Sequence, residues 1–138
     1  MVFIGKSKYT SIVKIKVMIS NEYGDFLKQY KWTHLATIRP NYMLNEMKAE
    51  RIGKYLLGNY KINKVFYSVE KDINDNWYHM HLLIDSFNIT KEEIAKNLGW
   101  NDEKIVGYLE KIKNKGAVSH YCAKRIGKSA LCHNFMIK

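Results

Sequence analysis

Long apolar runs are missing from this chain of 138 residues. No stretch of about eighteen apolar residues offers a membrane-spanning helix. The N-terminal segment SIVKIKVMIS, 11–20, is interrupted by lysines at intervals that exclude the core of a signal peptide. Cysteine is scarce, with Cys122 and Cys132 alone, which excludes a disulfide framework and predicts free thiols in a reducing compartment, the cytoplasm. Proline occurs once, at Pro40, and neither a flexible linker nor a repeat or low-complexity segment interrupts the chain. Acidic residues are also few. Lys and Arg outnumber Asp and Glu by 23 to 13, a formal charge of +10. So basic a body attracts polyanions, nucleic acid first and a membrane surface second. The same excess also fits plain solvated surface, so charge by itself does not choose.

Apolar and aromatic residues are present in quantity, 46% and 13% of the chain, enough for the core of one domain. The alternation in SIVKIKVM predicts a strand with Val13, Ile15 and Val17 on one face, and NEYGDFLKQY spaces Tyr23, Phe26, Leu27 and Tyr30 as a short helix would. WTHLATIRP reads as a strand stopped by Pro40, and NYMLNEMKAERIGKYLLGNY as a helix ending near Gly58-Asn59. INKVFYSVE and NWYHMHLLIDSF flank the turn formers of KDINDN and predict an antiparallel hairpin. Thr90 with Glu93 forms a capping box for a helix over KEEIAKNLG. KIVGYLEKI is a further strand, GAVSHYCAKRIGK a further helix and LCHNFMIK a last strand. From Trp32 onward this order predicts an α+β fold, helices packed on a central antiparallel sheet.

The stretch NWYHMHLLID carries two of the five histidines one residue apart. In a strand, Trp77, His79, His81, Leu83 and Asp85 share one face, while Tyr78, Met80, Leu82 and Ile84 form the core face. Two imidazoles on one face offer two nitrogen donors to a single point above the sheet, as a divalent cation requires. With a turn near Ile73-Asn74, Glu70 falls opposite or diagonal to His79. It would complete a three-ligand site, with Asp72, Asp85 or His34 as alternatives. Two half-exposed histidines on a solvated face explain the same spacing, and a His-x-His pair alone does not discriminate. Some forty residues later, helical SHYCAKRIGK would project Tyr121, Lys124 and Lys128 on one face with Arg125 alongside. Tyrosine serves as a covalent nucleophile. In a chain with ten tyrosines, an amphipathic surface explains this one equally well.

Taken together, His79-Met80-His81, Glu70 on the preceding strand, and the downstream Tyr121-Cys122-Ala123-Lys124 resemble the HUH endonucleases. Among them they resemble the rolling-circle replication initiators of small plasmids, phages and viruses. THLATIRP is similar to that family's first motif, a strand with a threonine amid apolar residues. The resemblance covers Trp32 to Lys128 and leaves residues 1–31 as an extension of a single nuclease domain. It implies a ferredoxin-like or RRM-like palm in the cytoplasm of a host cell. It further implies Mn2+ or Mg2+ on His79, His81 and Glu70, and Tyr121 attacking the scissile phosphate to leave a 5′-phosphotyrosine and a free 3′-hydroxyl. Lys124 would position or neutralise the phosphate, and Arg39, Arg125 and Lys128 would hold DNA. The implied partners are single-stranded DNA at a replication origin, a second copy of the chain in a homodimer, and a host replication helicase or polymerase. Arginine at position 125 implies a single-tyrosine enzyme. It also departs from the glutamine that follows the tyrosine of single-tyrosine transposases, a rival of the same chemistry. A non-catalytic RRM-like module that binds nucleic acid through Tyr67 and Tyr78 would equally account for the sheet and the charge. His120, Cys122, Cys132 and His133 are between them a zinc-ligand set, though at no common spacing.

Overall fold

A computed structural model describes residues 2–5, 20–72, 77–124, 126 and 130–138. The expected strand through Val13, Ile15 and Val17, the turn at Ile73-Asn74, and Arg125 and Lys128 lie outside these residues. The elements run β1 (Val2–Gly5), α1 (Ser20–Leu27), β2 (His34–Ile38), α2 (Glu46–Leu57), β3 (Ile62–Lys71), β4 (Tyr78–Ser86), α3 (Lys91–Asn97), β5 (Val106–Lys111), α4 (Lys115–Ala123) and β6 (Cys132–Ile137). Among the described residues, no helix is long and apolar enough to cross a membrane.

The six strands form one antiparallel sheet in the order β1-β6-β3-β4-β2-β5. Within it, β2-α2-β3-β4-α3-β5 is a βαββαβ unit whose first and third strands are central, the ferredoxin-like arrangement. The expected α+β fold with a central antiparallel sheet is therefore the observed one. β6 and β1 extend the sheet beyond β3.

Local chemistry accounts for the helices. In α2 the Asn45 side chain accepts from the Lys48 amide at 2.8 Å, and Ala49, Ile52, Gly53, Leu56 and Leu57 form one buried stripe. The Thr90 hydroxyl accepts from the Glu93 amide at 3.1 Å, the expected cap of α3, and Gly99 follows that helix with φ of 75°. Asn114 caps α4, accepting from Ala117 at 3.0 Å. The indole of Trp32 donates to the Leu27 carbonyl at 2.8 Å and closes α1.

Helices cover both faces of the sheet. α2 and α3 enclose Ala36, Ile38, Val65, Tyr67, Val69, Met80, Leu82 and Ile84. α1 and α4 cover Phe66, Leu83 and Phe135 on the other face with Tyr23, Leu27, Cys122 and Ile126. Alternation along β4 is therefore as expected, but the histidine-bearing face is also core at Leu83, because α1, from the extension before Trp32, packs with α4 over it.

At Gly53, α2 approaches the sheet so closely that a Cβ would stand 2.6 Å from the Met136 sulfur and 3.2 Å from the Tyr67 ring. Both neighbours are buried. Gly53→Val is expected to lower unfolding stability by about 2 kcal/mol, read as a shifted urea midpoint with unchanged slope; an unshifted midpoint would mean that this contact is slack.

Candidate metal centre and tyrosine site

One row of residues crosses four strands on the α1/α4 face: Ser68 on β3 pairs with His81 on β4, which pairs with Thr37 on β2, which pairs with Tyr108 on β5. One pleat along, Glu70 faces His79 directly, as the hairpin predicts. Glu70, His79 and His81 are all buried, and each offers a ligand atom within 4.8 Å of the others. The two Nε2 atoms lie 3.1 Å apart, and a Glu70 carboxylate oxygen is 3.4 Å from His81 Nε2.

The outer nitrogens are held from behind. His79 Nδ1 donates to the Asp72 carboxylate, which can only accept, so the neutral His79 ring keeps its lone pair on the inward Nε2. His81 Nδ1 lies 3.1 Å from the Thr37 hydroxyl, which either donates or accepts and so permits both tautomers. With the His81 proton on Nδ1, two nitrogen lone pairs and a carboxylate converge on one point, which suits a divalent ion with open positions. The donor set, and not merely its spacing, is that of a divalent cation site.

The other expected ligands are placed elsewhere. Asp72 orients His79 and contacts Arg39 at 3.8 Å. Asp85 pairs with Lys64 at 2.7 Å, toward the Trp32 end of the same face. His34 shares the face of Ala36 and Ile38, opposite the site. The zinc set is not assembled: among the described residues, Glu70, His79 and His81 form the one group able to hold an ion. His120 instead contacts Asp25 at 3.1 Å and His133 packs on Tyr23.

Tyr121 comes to the Glu70/His79/His81 cluster from α4. Its ring meets His81 edge-on at 5.3 Å between centroids, and Lys124 Nζ stands 3.9 Å over the same ring. Tyr121 is 43% exposed. Leu35, Thr37, Arg39, His81, Tyr108 and Tyr121 line an open hollow of about 440 Å³, large enough for a nucleotide unit. Thr37 and Tyr108 escaped sequence reasoning, because their place depends on the register of β2 between β4 and β5, which no local pattern encodes.

Burial drives the His81 pKa down to about 3, with further lowering from His79, Lys124 and Arg39. His34 is lowered as well, by burial and then by Lys111. The sign follows. Below the ordinary value of 6.5 the unfolded chain takes up protons that these folded rings resist, so stability falls as pH drops below 6.5. For His81 the fall continues toward pH 4, with a slope of up to about 1.4 kcal/mol per pH unit. Urea titrations in a chelator are expected to show this slope and to show it reduced in His81→Phe; equal slopes would contradict a neutral, buried His81.

No family model, no curated protein and no solved structure matches the chain.

Proposed function

We propose that the protein is a site-specific single-stranded DNA nicking and joining enzyme of the HUH type, one that initiates rolling-circle replication. The observation that carries this reading is the Tyr121 ring packed on His81 at the edge of the Glu70/His79/His81 cluster. Those three side chains would hold a divalent ion, which would supply Lewis acidity to the scissile phosphate. Lys124, over the Tyr121 ring, and Arg39, which lines the same hollow, present positive charge that orients the phosphate and offsets its charge. Tyr121 Oη bonds to phosphorus as the bond from phosphorus to the 3′-oxygen breaks. The phenolic proton is balanced by protonation of that oxygen, leaving a 5′-phosphotyrosine and a 3′-hydroxyl that can prime synthesis. Attack by a 3′-hydroxyl reverses the step and joins strands.

A non-catalytic RRM-like module would lack its stacking platform here. Tyr67 is 2% exposed within the α2/α3 core, and Tyr78 packs against that core as well. The direct test of activity is incubation with Mn2+ and single-stranded oligonucleotides tiled across the parent replicon, followed by a denaturing gel. A protein band shifted by a bound DNA fragment supports the reading, and oligonucleotides left intact across the whole tiling contradict it.

The charge of +10 makes binding strongly electrostatic. For three phosphate contacts on a single strand, affinity is expected to fall roughly 20-fold between 50 and 200 mM salt. Fluorescence anisotropy in a chelator measures this, and a flat salt response or a preference for fully paired duplex would count against the reading.

A further inference from the structure

A second hollow lies across the sheet from the metal site. It has a volume of about 460 Å³ and is lined by Tyr42, Lys48, Arg51, Ile52, Tyr55, Leu98 and Trp100. Two properties coincide there. Ile52 and Leu98 form an apolar floor, with the half-buried aromatic rings of Tyr42 and Trp100 packed on the same core. Cations crown it: Lys48 Nζ stands 5.1 Å over the Tyr42 ring, and Arg51 is exposed, with none of the described carboxylates in an ion pair with it. A flat ring beside guanidinium and ammonium groups suits a ligand that is itself a flat ring carrying an anion, which is a nucleotide.

The placement of this hollow says what kind of nucleotide. Arg39 lines the metal-side hollow and Tyr42 lines this one. They stand three residues apart in the connection from β2 to α2, at most about 11 Å of extended chain. Trp77, 38% exposed, is tied to the same connection by a 3.1 Å hydrogen bond from its indole to the Pro40 carbonyl. Exposed or half-buried aromatic and cationic groups thus follow one another from Tyr121 and Tyr108 past Arg39 and Trp77 to Tyr42, Arg51 and Trp100, around the end of β2.

We propose that the hollow between α2 and the segment after α3 binds a nucleotide of the single strand whose scissile phosphate lies at the metal site. The base lies against Tyr42 and Trp100, and the phosphate lies on Arg51 and Lys48. The path, though not the hollow, rests on the nicking reading above. Binding here spans the strand over two faces of the sheet, so the site recognises single strands that are free to bend and rejects a stiff duplex.

The test needs no cleavage. In a chelator, binding of (dT)12 is followed by anisotropy for wild type, Arg51→Glu, Tyr55→Ala, Trp100→Ala and Lys31→Glu. Lys31 is exposed and follows α1 on the other face, so its reversal controls for charge alone. Arg51→Glu and Trp100→Ala are each expected to weaken binding roughly tenfold, Tyr55→Ala about threefold, and Lys31→Glu less than threefold. Arg51 and Tyr55 are exposed, so those variants report on binding whether or not Trp100→Ala folds. A (dT)12 strand carrying 5-iododeoxyuridine is then photocrosslinked, with adducts expected on the peptides holding Tyr42, Tyr55 or Trp100. Wild-type affinity in Arg51→Glu and Tyr55→Ala, an equal loss in Lys31→Glu, or crosslinks confined to Tyr108 and Tyr121 would overturn the proposal. Thymidine 5′-monophosphate binding as tightly as (dT)12 would overturn the assignment to a strand. Crosslinks here without nicking would remove the nicking reading and leave this site; nicking without them would do the reverse.

Discussion

Tyr121→Phe is expected to abolish strand cleavage, a loss of at least about a thousandfold, while leaving the fold and DNA binding almost unchanged. The substitution removes one oxygen. Because the ring is 43% exposed and rests on His81 and under Lys124, its packing survives in phenylalanine, and stability should move by less than about 0.5 kcal/mol. On the proposed reading that oxygen is the nucleophile, so no weaker version of the same step would remain. Tyr108→Phe is the natural comparison, since it lines the same hollow but bonds Glu110 through its hydroxyl. It should retain most of the cleavage rate. Gel assays on a cleavable oligonucleotide with Mn2+ separate the two, and full cleavage by Tyr121→Phe would assign the chemistry elsewhere.

Removing a ligand should be nearly as severe. His81→Ala and Glu70→Gln are each expected to lower Mn2+ affinity roughly 100-fold or more and to remove cleavage with it, whereas Asp72→Asn should cost about 10- to 100-fold in affinity. The difference has a geometric origin. Glu70 stands among the converging atoms, while Asp72 reaches only the outer nitrogen of His79 and sets its tautomer. Calorimetry with Mn2+ measures these affinities independently of activity. Wild-type Mn2+ binding in a His79→Ala/His81→Ala double variant would return the two histidines to a structural role.

Much of this arrangement is legible in the residues because its periods are short. The alternation through Tyr78 to Asp85 separates the two faces of β4, and the Asn, Asp and Gly clusters between apolar runs mark where strands and helices end. The pairing of Glu70 with His79 follows from one hairpin, a local geometry. Legibility fails where distant segments meet. Nothing near Thr37 announces that it will sit between His81 and Tyr108, nor does α1 carry a mark of its packing with α4, and so the burial of the histidine face was invisible. The choice among Glu70, Asp72, Asp85 and His34 likewise turned on faces and neighbours that only tertiary structure assigns, such as the Lys64 partner that claims Asp85. Tyr121 was distinguishable among ten tyrosines only through a motif combination, since its spacing to Lys124 is ordinary for a helix surface.

On the proposed reading Tyr121 becomes covalently joined to DNA, and mass spectrometry of the trapped adduct reads that bond itself. Wild-type protein is incubated with Mn2+ and a cleaved single-stranded oligonucleotide, digested with nuclease and trypsin, and sequenced by fragmentation. The expected result is a nucleotide joined through its 5′-phosphate to Tyr121, on the tryptic peptide Gly116–Lys124, and a released fragment that a polymerase extends from its 3′-hydroxyl. A nucleotide on any other residue, a linkage through a 3′-phosphate, or cleavage that leaves no protein-bound nucleotide would contradict it.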